Sequence, residues 1–100
     1  MYSDKDEIEV RHVPESRQFE ARLHGELAYL SYTVTGDEIS LDHTYVPDAF
    51  RGSGVAADLV RAAVKEARQR HWKIQPRCSY VVAFFERYPE FADVLQPQHS

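Results

Sequence analysis

The residues best suited to chemistry lie in two short stretches, Val46 to Val60 around Arg51-Gly52-Ser53-Gly54, and Cys78-Ser79-Tyr80. The first reads as the end of an apolar strand, a loop with two glycines and an arginine, then a helix. That order suits the grip of a phosphate. The first turn of a helix carries backbone N–H groups with no intrahelical partner, and the aligned peptide dipoles add roughly half a positive charge there. Glycine turns the backbone with positive φ and approaches an anion with no Cβ in the way. Arg51 adds a planar cation matched to phosphate oxygens. The same residues also fit a plain glycine turn joining strand to helix. Two nucleotide motifs fail: no Lys follows Gly54, as a P-loop requires, and Ala57 stands where a dinucleotide fingerprint has its third glycine. In the second stretch, Cys78 immediately precedes the expected helix start at Ser79. A helix N-terminus lowers a thiol pKa from about 8.5, at some sites into the 3.5–7.5 range.

Periodicity supplies the elements that must position these groups. Ile8 to Val13 alternates and stops at Pro14, and Pro14-Glu15-Ser16 is a turn. Arg17 to His24 alternates with Phe19, Ala21 and Leu23 on one face, and Gly25-Glu26 is a two-residue hairpin signal. Leu27 to Thr35 holds strand formers on both faces and is expected mid-sheet. Gly36-Asp37 closes a second hairpin. Glu38 to Val46 follows, with Ile39, Leu41, His43 and Tyr45 expected on one face and Asp42, Thr44 and Val46 on the other. Gly54 to about His71 is helical, burying Ala56, Val60, Ala63, Val64 and Ala67. Trp72 to Arg77 is a short strand ended by Pro76. Ser79 is the expected N-cap of a helix from Tyr80 to about Tyr88, and Pro89 to Leu95 adds a turn. Residues 1–7 and 96–100 are expected to fray. The order is β-β-β-β-α-β-α: an α+β single domain of residues 1–100 with a four-stranded antiparallel meander, a central helix, a fifth strand and a C-terminal helix.

The run Arg51-Gly52-Ser53-Gly54-Val55-Ala56 resembles the acetyl-coenzyme A pyrophosphate loop, Arg-x-x-Gly-x-Ala/Gly, of the GNAT N-acetyltransferase superfamily. With His43-Thr44 before it, and Cys78-Ser79-Tyr80, Phe84 and Tyr88-Pro89-Glu90-Phe91 after it, the chain looks like the small YjdJ-like branch. The resemblance covers nearly all of residues 8 to 95. The helices usually found between the first two strands, and the usual final strand pair, have no counterpart here, which leaves the acceptor side open.

The resemblance implies an N-acetyltransferase that moves an acetyl group from acetyl-CoA to an unidentified amine. The alternative is a non-catalytic module that binds acetyl-CoA or CoA. In the family the fourth and fifth strands splay and the pantetheine lies between them. His43, Thr44, Tyr45 and Val46 are then its wall, and Arg51, Gly52, Ser53, Gly54, Val55 and Ala56 hold the pyrophosphate. Cys78 is a nucleophile that passes the acetyl group on, a neutral thiol that protonates the leaving group, or a small buried hydrophobe. Tyr80 matches the position of the family's general acid, or is a core aromatic. His43 is a base for the acceptor ammonium, or a hydrogen-bonded core residue; Asp42 is an alternative base or acceptor-binding carboxylate. Arg68, Arg70, His71, Lys73 and Arg77 are a solvated helix end or a contact for the 3′-phosphate of CoA.

Bulk properties narrow the classes. One hundred residues make one domain. A net charge of −4 argues against a dedicated nucleic-acid binder. No apolar run approaches the ~20 residues of a membrane span and no signal peptide is visible. The single cysteine suits a reducing, cytoplasmic setting. His12, His24, His71 and His99 have no matching context, and no cluster has metal-ligand spacing, so no metal is expected. A monomer or weak dimer is expected.

Overall fold

The computed structural model describes residues 8–50 and 52–97. The expected loose leader at 1–7, Arg51, and residues 98–100 with His99 lie outside them. Along the chain run β1 (Val10–Val13), a 3-10 turn at Pro14–Ser16, β2 (Gln18–Leu23), β3 (Glu26–Thr35) and β4 (Glu38–Tyr45). A second 3-10 turn (Asp48–Phe50) leads to α1 (Val55–Arg70), then β5 (Lys73–Pro76), α2 (Ser79–Arg87) and a 3-10 segment at Pro89–Val94. This is the order that periodicity predicts. The sheet has five strands in the order β1-β2-β3-β4-β5, antiparallel until the last pair, which is parallel.

One face of the sheet makes the core. Phe19, Leu30, Ile39 and Leu41 are fully buried against Val55, Leu59, Val60, Ala63, Val64 and Ala67 of α1, and Val81, Phe84 and Phe85 of α2 complete the cluster. Ala56, expected on this face, is only half-buried, because the apolar stripe starts one residue earlier at Val55 and continues through Leu59. β1 is fastened to the core by His12. Its ring stacks on Phe19 at 4.4 Å, Nε2 lies 2.6 Å from the Tyr32 hydroxyl, and Nδ1 lies 3.7 Å from a Glu66 carboxylate oxygen on α1.

The first hairpin turn is His24-Gly25, one residue before the expected Gly25-Glu26, since Leu23 pairs with Glu26. Both turn residues have positive φ (51° and 80°), as a type I′ turn needs. The second turn is Gly36-Asp37, between the paired Thr35 and Glu38. At the other end, Leu95 bridges Ile74 and the Gln96 N–H donates to the Ile74 carbonyl at 2.8 Å. Gln96 is therefore tied down rather than frayed. Among the described residues no helix is long and apolar enough to cross a membrane.

Two irregularities in β4 matter most. Tyr32 pairs with Leu41 while the preceding Ser31 pairs with His43, so Asp42 is the extra residue of a β-bulge. The bulge reverses the alternation beyond it. Thr44, opposite the buried Leu30, follows Leu41 on the core face, and His43 and Tyr45 are exposed on the other face. The expected grouping of His43 and Tyr45 with Ile39 and Leu41 is thus corrected. The second irregularity is that β4 and β5 pair from Glu38↔Lys73 to Leu41↔Pro76 and then part. Pro76 has no N–H to continue the ladder, and the Arg77 and Cys78 amides both fold back onto the Leu41 carbonyl, at 3.1 and 3.2 Å. Among the described residues no strand pairs with the outer edge of β4 from His43 to Tyr45.

Leu59 is completely buried on the core face of α1. Leu59→Ala is expected to lower the unfolding free energy by about 2–5 kcal/mol, measured by denaturant titration.

Candidate functional site

Beside the point where the strands part, an open cleft of about 340 Å³ lies between the end of β4, the glycine turn and α2. Thr44 and Val46 of the β4 end form one wall and Tyr80 of α2 another. Gly52, Gly54, Val55 and Ala56 form the third side, with Phe50 beneath them. Gly52 and Gly54 sit at φ 79° and 78°, in the left-handed region, and a Cβ built on either would meet no atom within 4 Å. The turn therefore holds bare backbone against the cleft. Ser53 Oγ accepts the Val55 N–H at 3.1 Å, and the Asp58 N–H starts the helix ladder at the Gly54 carbonyl. That leaves the Ala56 and Ala57 amides in the first turn of α1, where a helix offers no internal acceptor.

Of the residues expected to contact the cofactor, Thr44, Val46, Gly52, Gly54, Val55 and Ala56 converge on this cleft, and Ser53 shapes its turn. Tyr45 contributes backbone between Thr44 and Val46, while its ring is on the opposite face. Arg51 lies outside the described residues. His43 is not in the cleft; it stands across the sheet beside Tyr29, at 6.0 Å between rings.

Cys78 occupies the N-cap of α2 in extended conformation (φ −79°, ψ 135°), and its carbonyl accepts the Val82 N–H. The cap is one residue earlier than the expected Ser79. In the neutral form the thiol donates to Thr44 Oγ1 at 3.5 Å. Partial burial pushes the Cys78 thiol up. The Thr44 hydroxyl and the Tyr80, Val81 and Thr44 amides favour the thiolate, and together they outweigh burial and hold the thiol below the ordinary cysteine range. Tyr80 moves the other way: burial, then the neighbouring Tyr88, raise its pKa against the opposing pull of Arg61 and Arg87. At neutral pH the phenol keeps its proton and can give it away.

Three features escape sequence reasoning, the first of them a contact made by an expected residue. The Thr44 hydroxyl reaches the sulfur only because the bulge turns it inward. Phe50 floors the loop from a 3-10 turn too short to show periodicity. Arg61 of α1 lies over the Tyr88 ring at 5.2 Å and the Phe84 ring at 5.9 Å, bordering Tyr80. The basic cluster divides. Arg68 pairs with Asp93, Arg70 with Glu66, and Lys73 donates to the Asp93 carbonyl, all near the C-terminal end of α1. A 16-residue helix places that end roughly 24 Å from the glycine turn. Those cations pair within the fold, while Arg77 follows β5 beside the gap. Among the described residues no three His, Cys, Asp or Glu side chains converge as a metal would need.

The direction of the Cys78 shift sets its pH dependence. Because the fold favours the thiolate, this group adds stability above the unfolded thiol pKa of about 8.5, and loses it as pH falls through the folded value. Iodoacetamide labelling of Cys78 is expected to show a midpoint below that of a free thiol. Thr44→Val is expected to move the midpoint up; an unchanged midpoint would separate the threonine from the sulfur.

Comparison with known proteins agrees with this arrangement. Residues 18–94 match the sequence profile of the family described as GCN5-related N-acetyl-transferase. The chain is 37% identical over 95 residues to Protein NATD1 of Xenopus tropicalis, covering 90% of this chain and 87% of that one. It is also 37% identical over 95 residues to Protein NATD1 of Homo sapiens, covering 84% of the human chain. The NMR solution structure of a GCN5-like protein from Staphylococcus aureus superposes with a TM-score of 0.70 at 29% identity, covering 97% of this chain and 94% of that one. With its central helix, parted strands and glycine loop in one compact domain, the chain belongs to the GCN5-related N-acetyltransferase family.

Proposed function

We propose that the protein is an N-acetyltransferase that takes acetyl-CoA into the cleft between β4, β5 and the mouth of α1 and passes the acetyl group to an amine. The observation that carries this reading is the parting of β4 from β5 directly beside a helix mouth opened by two glycines. The residues present fit the carrier. The Ala56 and Ala57 amides, with the bare backbone of Gly52 and Gly54, suit a diphosphate, and Arg51 adds a guanidinium by its place in the motif. The unpaired edge of β4 offers main-chain groups to an extended arm, as an added strand would use them.

When bound, acetyl-CoA supplies an activated thioester, and its conversion to an amide consumes one amine and frees one thiol. The chain's own groups answer the proton demand of that exchange. The nitrogen must shed a proton before it can react, and the leaving sulfur must gain one. Tyr80, protonated and lining the cleft, is the donor for the sulfur. Cys78, poised toward thiolate, is either a nucleophile in a two-step route or a second proton carrier. His43, across the sheet, is the candidate base for an amine arriving on that face. A half-buried free thiol fits a reducing, cytoplasmic setting.

Calorimetric titration with acetyl-CoA tests the binding half. Tight binding is expected, and Arg51→Ala/Gly54→Val is expected to lose at least tenfold affinity while keeping the circular dichroism spectrum of the parent. Unchanged affinity would refute the loop assignment. Thiol release over a panel of amines tests turnover. Release above background with at least one amine is expected; tight binding without it would instead mark a cofactor-binding module. Cys78→Ala is expected to retain binding, and full activity in that variant would exclude the nucleophile role.

A further inference from the structure

The sheet face opposite α1 carries no helix among the described residues, and it holds an aromatic group that the core does not need. Tyr29 of β3 and Tyr45 of β4 are cross-strand partners with ring centroids 5.6 Å apart, and His43 lies 6.0 Å from Tyr29. Tyr45, the last residue of β4, is 49% exposed. Next to His43, at the bulge, the Asp42 carboxylate is held by Thr33 Oγ1 at 2.9 Å and by Ser40 Oγ. Those bonds fix it in place, and no cation pairs with it among the described residues. Glu20 faces Tyr29 from β2. Arg77, whose amide donates to the Leu41 carbonyl, adjoins the bulge but forms no ion pair with Asp42 among the described residues, and the other arginines of this face stand farther off. Arg11, opposite Glu20, is on β1, three strand spacings or roughly 14 Å from β4. Arg22, opposite Leu27, is two residues, roughly 7 Å, along the sheet from the Tyr29–Tyr45 row and four, roughly 13 Å, from the Ser31–His43 row.

Resting on the acetyl-transfer reading, we propose that Tyr29, His43 and Tyr45 with Asp42 form the acceptor subsite, and that it takes an unbranched alkyl ammonium. Tyrosine faces attract a desolvated cation, and a fixed carboxylate supplies the opposite charge. The apolar sides of the rings accept the methylenes behind the ammonium. A neutral or anionic acceptor would leave the hydrogen-bonded Asp42 carboxylate without a counter-charge. The subsite also lies at the right place. His43 and Tyr45 alternate along β4 with Thr44 and Val46, which wall the cleft, so acceptor and acetyl carrier sit on opposite sides of one strand. Beyond Leu41 no β5 strand closes the gap between them.

The test is a side-chain NMR titration of the protein without acetyl-CoA, using pentylammonium as probe and pentanol as its neutral match. Pentylammonium is expected to shift the Tyr29, His43 and Tyr45 ring resonances, and pentanol to leave them unmoved. Tyr45→Leu is expected to weaken the pentylammonium response roughly three- to fivefold. Asp42→Asn is expected to weaken it at least as much, with the backbone spectrum of each variant showing an intact fold. Spermidine and Nα-acetyl-lysine methylamide distinguish a free polyamine from a peptide-borne lysine, and a shift with either supports the class. Shifts that pentanol reproduces, or that fall elsewhere, or that survive both substitutions, overturn the proposal. Because acetyl-CoA is absent, this failure is distinct from failure of the cleft, which would appear at Thr44 and Gly54 when acetyl-CoA is added.

Discussion

One extra residue in β4 decides how this domain can work. Without Asp42 out of step, Thr44 would face away from the core and His43 would be buried beside Leu41. The bulge turns a hydroxyl toward the Cys78 sulfur on one side and leaves imidazole and phenol rings on the other. Bulges increase local twist and weaken pairing, and here the neighbouring strand ends at Pro76, one pair before the bulge. A single strand thereby serves two faces with different chemistry.

The sulfur shows how backbone geometry tunes a side chain. An N-cap ordinarily offers a Ser, Thr, Asp or Asn oxygen to the amides of the first turn. Cys78 stands in that position, and the Tyr80 and Val81 amides favour a negative sulfur. Two residues on, Tyr80 is burdened by burial and by Tyr88, so it resists ionisation. Neighbours in sequence are pushed toward opposite protonation states within one helical turn. Proximity to a helix end alone would not separate them; the difference is that end amides bond the sulfur, while no hydrogen bond offsets the desolvation of the phenol.

Much of this was legible in the chain. The strands and helices follow from alternation and from three- and four-residue spacing, with Gly36, Pro14 and Pro76 marking the breaks. The glycine turn and the helix after it were readable because positive φ and a missing Cβ are local demands. What could not be read was the parity of β4 beyond Leu41, since a bulge depends on pairing with β3, and Ile39-Ser40-Leu41-Asp42-His43 alternates too well to betray it. The hairpin at His24-Gly25 slipped by one for a related reason: His24 takes the left-handed conformation that sequence alone would assign to glycine. The Thr44–Cys78 contact joins residues 34 apart, and no local pattern encodes it.

The bridge of Leu95 and Gln96 to Ile74 has a consequence for the sheet as a surface. Edge strands invite foreign strands, and β5 would otherwise present such an edge for its whole length. The tail plugs that edge at Ile74, so extended polypeptide finds no template there, whereas the margin of β4 stays receptive. A tag or fusion placed after Gln96 preserves this asymmetry, and a truncation that removes Leu95 and Gln96 would make the two margins compete for the same kind of guest.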